Sequence, residues 1–377
     1  MTASYLPVRK EGFSLKANYF SFLFLLLVGC SPTSDSEMDV EWPMYGLDNS
    51  ASKYSSLSQI NRSNVNLLKV AWVYHSEDHS NTKKTDIQCN PIIINKRMYL
   101  ITPFLNVFAL EANSGKEIWK FDPFNGLKRS GTNRGLAYHS DEEGERIFYV
   151  ANSDLYCLDA TTGKPILSFG NEGQVDLTKG LGRDIGGLYV TATSPGVVYK
   201  DLYILGSRVL EGPAPAAPGH IRAYDLKSGT MKWIFHTIPQ PREYGYDTWP
   251  SEAYKSSGGA NSWGGFTLDE EKGIVFCGTG SPSYDVWGGD REGDNLFANC
   301  ILALNAENGE RIWHYQAVHH DVWDYDIPCP PNLVQVKKGG KLMSPLRKVR
   351  IIRKWKISDD IFVFLFSNLG DASVSGS

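Results

Sequence analysis

The chain lacks the cysteine spacings that metal ribbons and haem attachment need. Its six cysteines (Cys30, Cys89, Cys157, Cys277, Cys300 and Cys329) form no CxxC and no CxxCH, so neither a zinc ribbon nor a self-carried c-type haem is supported. Base is also scarce in the body of the chain. Of 38 Lys and Arg and 42 Asp and Glu, residues 1–29 hold three bases and one acid, and residues 337–377 hold nine bases and three acids. That leaves 26 bases against 38 acids in residues 30–336, a net of about −12. An acidic body excludes a nucleic-acid partner, which requires a basic footprint. Histidine is sparse at eight. What is plentiful is Gly (36), Tyr (19) and Trp (10), set among short apolar runs, and this composition predicts an all-β fold.

Arg9, Lys10 and Lys16 precede the apolar run FSFLFLLLVGC at residues 20–30. The run is too short to cross a bilayer and has the length of a signal-peptide core, which assigns residues 1–29 to export. It ends in LVGC, Leu27 to Cys30, which resembles the bacterial lipobox. In that motif the cysteine is lipidated and becomes the mature N-terminus. The resemblance implies a periplasmic protein held to a bacterial membrane, the outer one in first place, through acyl chains on Cys30. Residues 30–41 would be the polar tether. Acyl chains contribute about 0.8 kcal/mol per buried CH₂, so several together anchor stably. The alternative is a plain signal peptide with a chance cysteine.

One pattern recurs along the chain: ALEANSGKEIW (109–119), CLDATTGKPIL (157–167), AYDLKSGTMKW (223–233) and ALNAENGERIW (303–313). Each has two strand-forming residues, an acid or amide, a turn with glycine in seventh place, and Trp or Leu in eleventh. Glycine accepts the positive φ of such turns. The large residue is expected to open the next strand and pack inward. Repeats of this kind mean a propeller or a solenoid. The repeat glycines Gly115, Gly163, Gly229 and Gly309 grow further apart along the chain, so loops are inserted on a constant core. The inserts at 211–220, 239–263 and 281–295 are polar and aromatic, and loops of that kind on a rigid scaffold are where sites are built.

These repeats, together with NRGLAY (133–138), GANSWGG (259–265) and HHDVWDYD (319–326), resemble the pyrroloquinoline quinone (PQQ) dehydrogenases, in particular the quinoprotein glucose dehydrogenase type. The likeness covers residues 42–336. It implies an eight-bladed β-propeller of which about half the blades lie in this chain. By position in the motifs, the resemblance implies that Asp324 is the general base. On the same resemblance Trp263 would be the floor under the quinone, and Arg134 would pair with a quinone carboxylate. The resemblance implies Gln88 and Thr193 as further cofactor contacts. It implies Ca²⁺ or Mg²⁺ held by Glu211, Ser281 and Asp324, although the methanol dehydrogenases have asparagine where this chain has Ser281. A guanidinium suits a tricarboxylate because it pairs two oxygens at once. A hydroxyl can serve a cation that takes six to eight oxygens. The implied substrate is a sugar or alcohol of the glucose type, and with no haem motif the electrons would pass to ubiquinone or a separate cytochrome.

His319 and His320 are expected to be supports and not metal ligands. Neighbours on an extended segment face opposite ways, and no third ligand lies at metal spacing. A second account of the whole chain stays open: a non-enzymatic PQQ-repeat lipoprotein that acts as a binding scaffold, which would not need Arg134, Trp263 and Asp324 in their motifs.

Residues 337–377 show no repeat, and they lack the family's quinone-contacting lysine motif. A frameshift would account for this, because Ala372 to Gly376 can be encoded so that reading one nucleotide later gives Pro-Leu-Phe-Pro-Val, which resembles the family's continuation; the alternative is a basic surface tail or an interaction segment. Half a ring leaves blade faces unburied, and repeat arrays need caps. The polypeptide alone is therefore expected to aggregate and to show no PQQ-dependent turnover.

Overall fold

The computed structural model describes residues 41–78, 85–212, 215–334, 336–338 and 341–343. The signal peptide, Cys30, the tether up to residue 40 and residues 344–377 of the tail lie outside the described residues.

Four antiparallel, four-stranded sheets follow one another, each a meander in chain order. The first comprises Ile92–Ile94, Arg97–Ile101, Val107–Glu111 and Glu117–Phe121, and the second Ala137–Asp141, Gly144–Ala151, Asp154–Asp159 and Gln174–Asp176. The third comprises Val197–Tyr199, Leu202–Leu205, Ile221–Asp225 and Met231–Phe235, and the fourth Phe266–Asp269, Ile274–Gly278, Cys300–Asn305 and Arg311–Gln316. Among the described residues the one α-helix is Ala253–Ser256. The all-β expectation and the repeat count both hold.

The repeat glycines take φ of +72° (Gly115), +72° (Gly163), +69° (Gly229) and +76° (Gly309), as the turn chemistry requires. Three of them have a second reason to be glycine. A Cβ on Gly163 would lie 2.5 Å from the Trp119 ring, one on Gly309 2.5 Å from Trp233, and one on Gly115 2.4 Å from Trp72. Each indole N–H also donates across the same junction: Trp119 to the Ala160 carbonyl at 3.0 Å, Trp233 to Ala306 at 3.2 Å and Trp72 to Ala112 at 3.2 Å. The repeat tryptophan therefore clips a sheet to the turn of a later one. Trp72 stands outside the repeat frame, so its sequence position carried no hint of this role. We expect Gly163→Ala to lower stability in urea by about 2–4 kcal/mol, from the left-handed backbone and the clash together. Gly126→Ala, at φ +87° with nothing within 4 Å of the added methyl, isolates the backbone share.

The second repeat departs from expectation. After its turn the chain makes a single bridge, Leu158 with Pro165, and the outer strand forms only at Gln174–Asp176. Pro165 has no N–H to give a ladder. Leu167, expected to pack inward, is instead 71% exposed.

The core lies between sheets. Ile92, Tyr99 and Val107 of the first pack with Ile147, Tyr149 and Leu158 of the second. Phe148 and Leu155 of the second meet Tyr203, Leu205 and Tyr224 of the third. Ile204, Ile221 and Trp233 of the third meet Val275, Cys277 and Leu302 of the fourth. Two short pairs sit beside this stack: Val190–Thr191 with Arg208–Val209, and Gly258–Gly259 with Pro282–Ser283. They carry the loops that build the site.

Candidate functional site

The HHDVWDYD loop is organised by its first acid. Asp321 is 2% exposed, and its carboxylate accepts from the backbone N–H of Trp323 (3.0 Å) and Tyr325 (2.7 Å), the Ser281 hydroxyl (2.5 Å) and the Asn299 amide (2.9 Å). These bonds fold the loop back on itself and turn Asp324 outward at φ +58°, a conformation aspartate tolerates. Arg291, fully buried, donates to the Tyr284 carbonyl (2.9 Å) and the Asp321 carbonyl (2.6 Å), which ties the 281–295 insert to this loop.

Asp324, Glu211 and Asp285 line one cavity of about 590 Å³, together with Gly212, Tyr284, Val286 and Trp287. Burial, then the charges of Asp326, Glu211 and Asp321, push the Asp324 carboxyl up to about 6. Burial, then Asp324, Asp326 and Glu211, push Asp285 up to about 8, against the opposing pull of Arg291. Glu211 shares one oxygen with Arg208 at 3.3 Å.

Trp263 is joined to this cluster through Asp326, whose carboxylate accepts from the indole N–H at 2.6 Å and from the Ser281 N–H at 2.6 Å. The Arg134 guanidinium lies 5.1 Å from the centroid of the Trp263 ring. Its Nη1 is buried without a hydrogen-bond partner, and burial lowers its pKa. Thr193, whose carbonyl accepts from the Arg134 N–H at 2.8 Å, has a buried hydroxyl without a partner among the described residues, as have Ser194 and Ser207. Buried polar atoms are normally satisfied, so the unpartnered Arg134 nitrogen of the guanidinium that lies over the Trp263 ring fits a polar, planar guest.

Other expected residues are placed less directly. Gln88 is exposed, two residues from Asn90, whose N–H donates to the Arg134 carbonyl at 2.8 Å. Ser281 is 2% exposed, lies outside the cavity lining and spends its hydroxyl on Asp321. His319 stands 3.4 Å from the Asp294 carboxylate, and a ring nitrogen of His320 is 2.9 Å from the Gly293 carbonyl, which suits supports. Among the described residues no three His, Cys, Asp or Glu side chains close on a point where they could hold a metal ion. The oxygens of Glu211 and Asp324 have the chemistry a hard cation takes, but such an ion would also need oxygens from a bound guest. Asp285 and the Asp326–Trp263 bond escaped the sequence reading. Their one signal was an acid within a flagged insert and an acid two places after the expected base.

Comparison with known proteins agrees with the motifs. The family model described as the PQQ glucose/ethanol/alcohol dehydrogenase β-propeller domain matches residues 42–350, beyond the expected boundary at 336. The quinate/shikimate dehydrogenase (quinone) of Acinetobacter baylyi is 33% identical over 330 residues, 80% of this chain and 40% of that protein. The quinoprotein glucose dehydrogenase of Escherichia coli is 31% identical over 345 residues, 86% of this chain and 42% of that protein. Among solved structures, the quinohemoprotein alcohol dehydrogenase of Comamonas testosteroni superposes with a TM-score of 0.65 at 28% identity, covering 80% of this chain and 45% of that one. The chain thus spans about 40% of the length of the curated relatives it matches.

Proposed function

The chain belongs to the PQQ β-propeller family of glucose, ethanol and alcohol dehydrogenases, and on that footing we propose that its site serves PQQ-dependent oxidation of a sugar or alcohol, with Asp324 as general base. The observation that carries this reading is Asp324 in a cavity with Glu211, two residues before the Asp326 that holds an indole beneath a guanidinium whose buried Nη1 has no partner among the described residues.

In this reading Trp263 supplies the flat surface on which the quinone rests, and Asp326 holds its ring in place. Arg134 pairs with a quinone carboxylate, and the Thr193 hydroxyl takes a further polar contact. Glu211 and Asp324 offer oxygens to Ca²⁺ or Mg²⁺. The Ser281 hydroxyl stabilises Asp321 and leaves cation binding to the carboxylates. When bound, PQQ with its cation supplies a two-electron acceptor and a Lewis acid. Asp324 takes the hydroxyl proton at a carboxylate oxygen. That requires the ionised form, which a nearby cation favours. A separate acceptor, ubiquinone or a cytochrome, would take the electrons, with the protein in the periplasm on a Cys30 lipid anchor.

The test is retention of quinone absorbance by the purified chain after gel filtration with PQQ and Ca²⁺. We expect retention by the fraction that stays soluble, the aggregation expected above being removed first; a soluble chain that keeps none would favour the scaffold account. The sequence expectation is that the chain alone does not turn over. Sugar-dependent bleaching of the retained quinone would overturn that expectation, and Asp324→Asn should then slow the bleaching by about 10²–10⁴-fold.

A further inference from the structure

A second cavity lies at the junction of the third and fourth sheets. It holds about 290 Å³ and shares no lining residue with the cavity of Asp324. Its aromatic walls are Phe235 at the end of the third sheet, Tyr244 from the 239–263 insert, and Phe297 just ahead of Cys300–Asn305. Arg311, which opens the outermost strand of the fourth sheet, also lines it. The Arg311 guanidinium lies 4.1 Å from the centroid of the Tyr244 ring and 6.0 Å from that of Phe297. Stacking of this kind fixes the plane of a guanidinium and leaves its N–H edge for a partner. Among the described residues its one side-chain hydrogen bond runs from Nη1 to Nδ1 of His314 at 3.1 Å. Burial, then Arg311 itself, lowers the pKa of His314, so this ring is neutral and accepts. No carboxylate pairs with Arg311 among the described residues. Of the acids in the lining, Glu243 is spent on His236 at 2.8 Å and on the Gln240 N–H at 2.7 Å, and Glu310 is exposed to water. Further positive charge stands beyond the His236 wall. The ring of His220 is 4.8 Å from that of His236 and within electrostatic reach of Arg222 and Arg183, which donate to backbone carbonyls and pair with no acid among the described residues.

We propose that this cavity is a ligand site for a small aromatic carboxylate, with Arg311 as the group that pairs with the acid. A guanidinium takes both oxygens of a carboxylate along one edge, which extends its plane outward from the Tyr244 ring. The ligand ring then lies on the part of Tyr244 that Arg311 leaves uncovered, since that side chain is 61% exposed, and against Phe235. A neutral aromatic would fill the same space and leave a half-buried cation without a counter-charge, which is costly. A bare anion would pair with Arg311 and leave the aromatic walls wet. The size agrees, because sites for small molecules begin at about 300 Å³, enough here for a single ring. The site needs neither quinone nor cation, so it does not rest on the dehydrogenase reading.

Binding is read by saturation-transfer NMR on the soluble fraction of the full chain, with benzoate, benzyl alcohol and acetate as probes. Benzyl alcohol keeps the ring without the charge, and acetate keeps the charge without the ring. We expect benzoate to bind about ten-fold or more tightly than either, because a charge-assisted pair and a buried ring each contribute more than 1.4 kcal/mol. Arg311→Gln should lose that preference over benzyl alcohol, and Arg311→Lys, which keeps the charge but not the fork, should recover part of it. Tyr244→Leu should weaken benzoate by about three- to ten-fold. Benzoate that binds no more tightly than either of the other probes, or an Arg311→Gln chain that is folded by circular dichroism and still prefers benzoate, overturns the proposal. So does benzoate lost in Arg134→Gln and kept in Arg311→Gln, which would place it at the other guanidinium. If Arg311→Gln does not fold, Tyr244→Leu decides, and unchanged benzoate affinity there overturns the proposal.

Discussion

Trp263→Ala is expected to weaken quinone retention by about 100-fold or more. A large aromatic surface buried against a planar guest contributes several kcal/mol, and each 1.4 kcal/mol is a factor of ten in affinity. The loss should exceed simple removal of area, because the same indole is held by Asp326 at 2.6 Å and faces the Arg134 guanidinium at 5.1 Å. Without the ring, Asp326 keeps its bond to the Ser281 N–H but loses its other partner, and Arg134 loses the surface it lies against. Trp263→Phe should retain part of the affinity, since a phenyl ring stacks but does not donate to Asp326. The measurement is a titration of PQQ with Ca²⁺ present, followed by absorbance. Unchanged affinity in Trp263→Ala would remove this indole from the quinone site. Trp313→Ala is a suitable comparison, because that ring packs with Phe276 in the repeat frame.

Stability should fall as pH rises from about 4 to about 8, and Asp285→Asn should flatten the fall. The Asp285 carboxyl is pushed up to about 8 from an ordinary 3.8, so across that window the folded chain holds a proton that the unfolded chain has released. A state that binds more protons is favoured at low pH, so this contribution is full below about 4 and is lost by about 8. Asp324, pushed up to about 6, adds in the same direction over the lower half of the window. Asp225, held near 2 by bonds from Ser228, Lys232 and Lys227, acts with the opposite sign, and its contribution is complete by about pH 4. After allowance for solvent, the Asp285 share is about 2–5 kcal/mol. Urea denaturation of wild type and Asp285→Asn at several pH values checks it. A variant that tracks the wild type across the window would show that Asp285 is not held protonated. Added Ca²⁺ should offset part of the fall in the wild type, because a cation among these acids favours their ionised forms.

The sequence by itself determined the repeats, their turns and the family. Glycine in seventh place and tryptophan in eleventh are local demands, set by a positive φ and by a ring that needs burial, so they are legible at a spacing of a few residues. The same locality explains the exception. The pattern counted Leu167 as equivalent to tryptophan, but Pro165 beside it removes a ladder donor and the strand forms elsewhere. Trp72 was hidden for a related reason, since its partner turn at Ala112 and Gly115 is some forty positions away. The site motifs mark Asp324, Trp263 and Arg134 as candidates. What tied them together was decided only by tertiary structure: Trp263 meets Asp326 across 63 positions, and Ser281 meets Asp326 across 45. Tertiary structure also decided which acids are spent and which is free. Asp321, Asp324 and Asp326 look alike in a short loop, and Asp285 looks like any acid in a polar insert. A carboxylate's role follows from the donors that reach it and the water that does not, and both depend on segments brought together by the packing of neighbouring sheets.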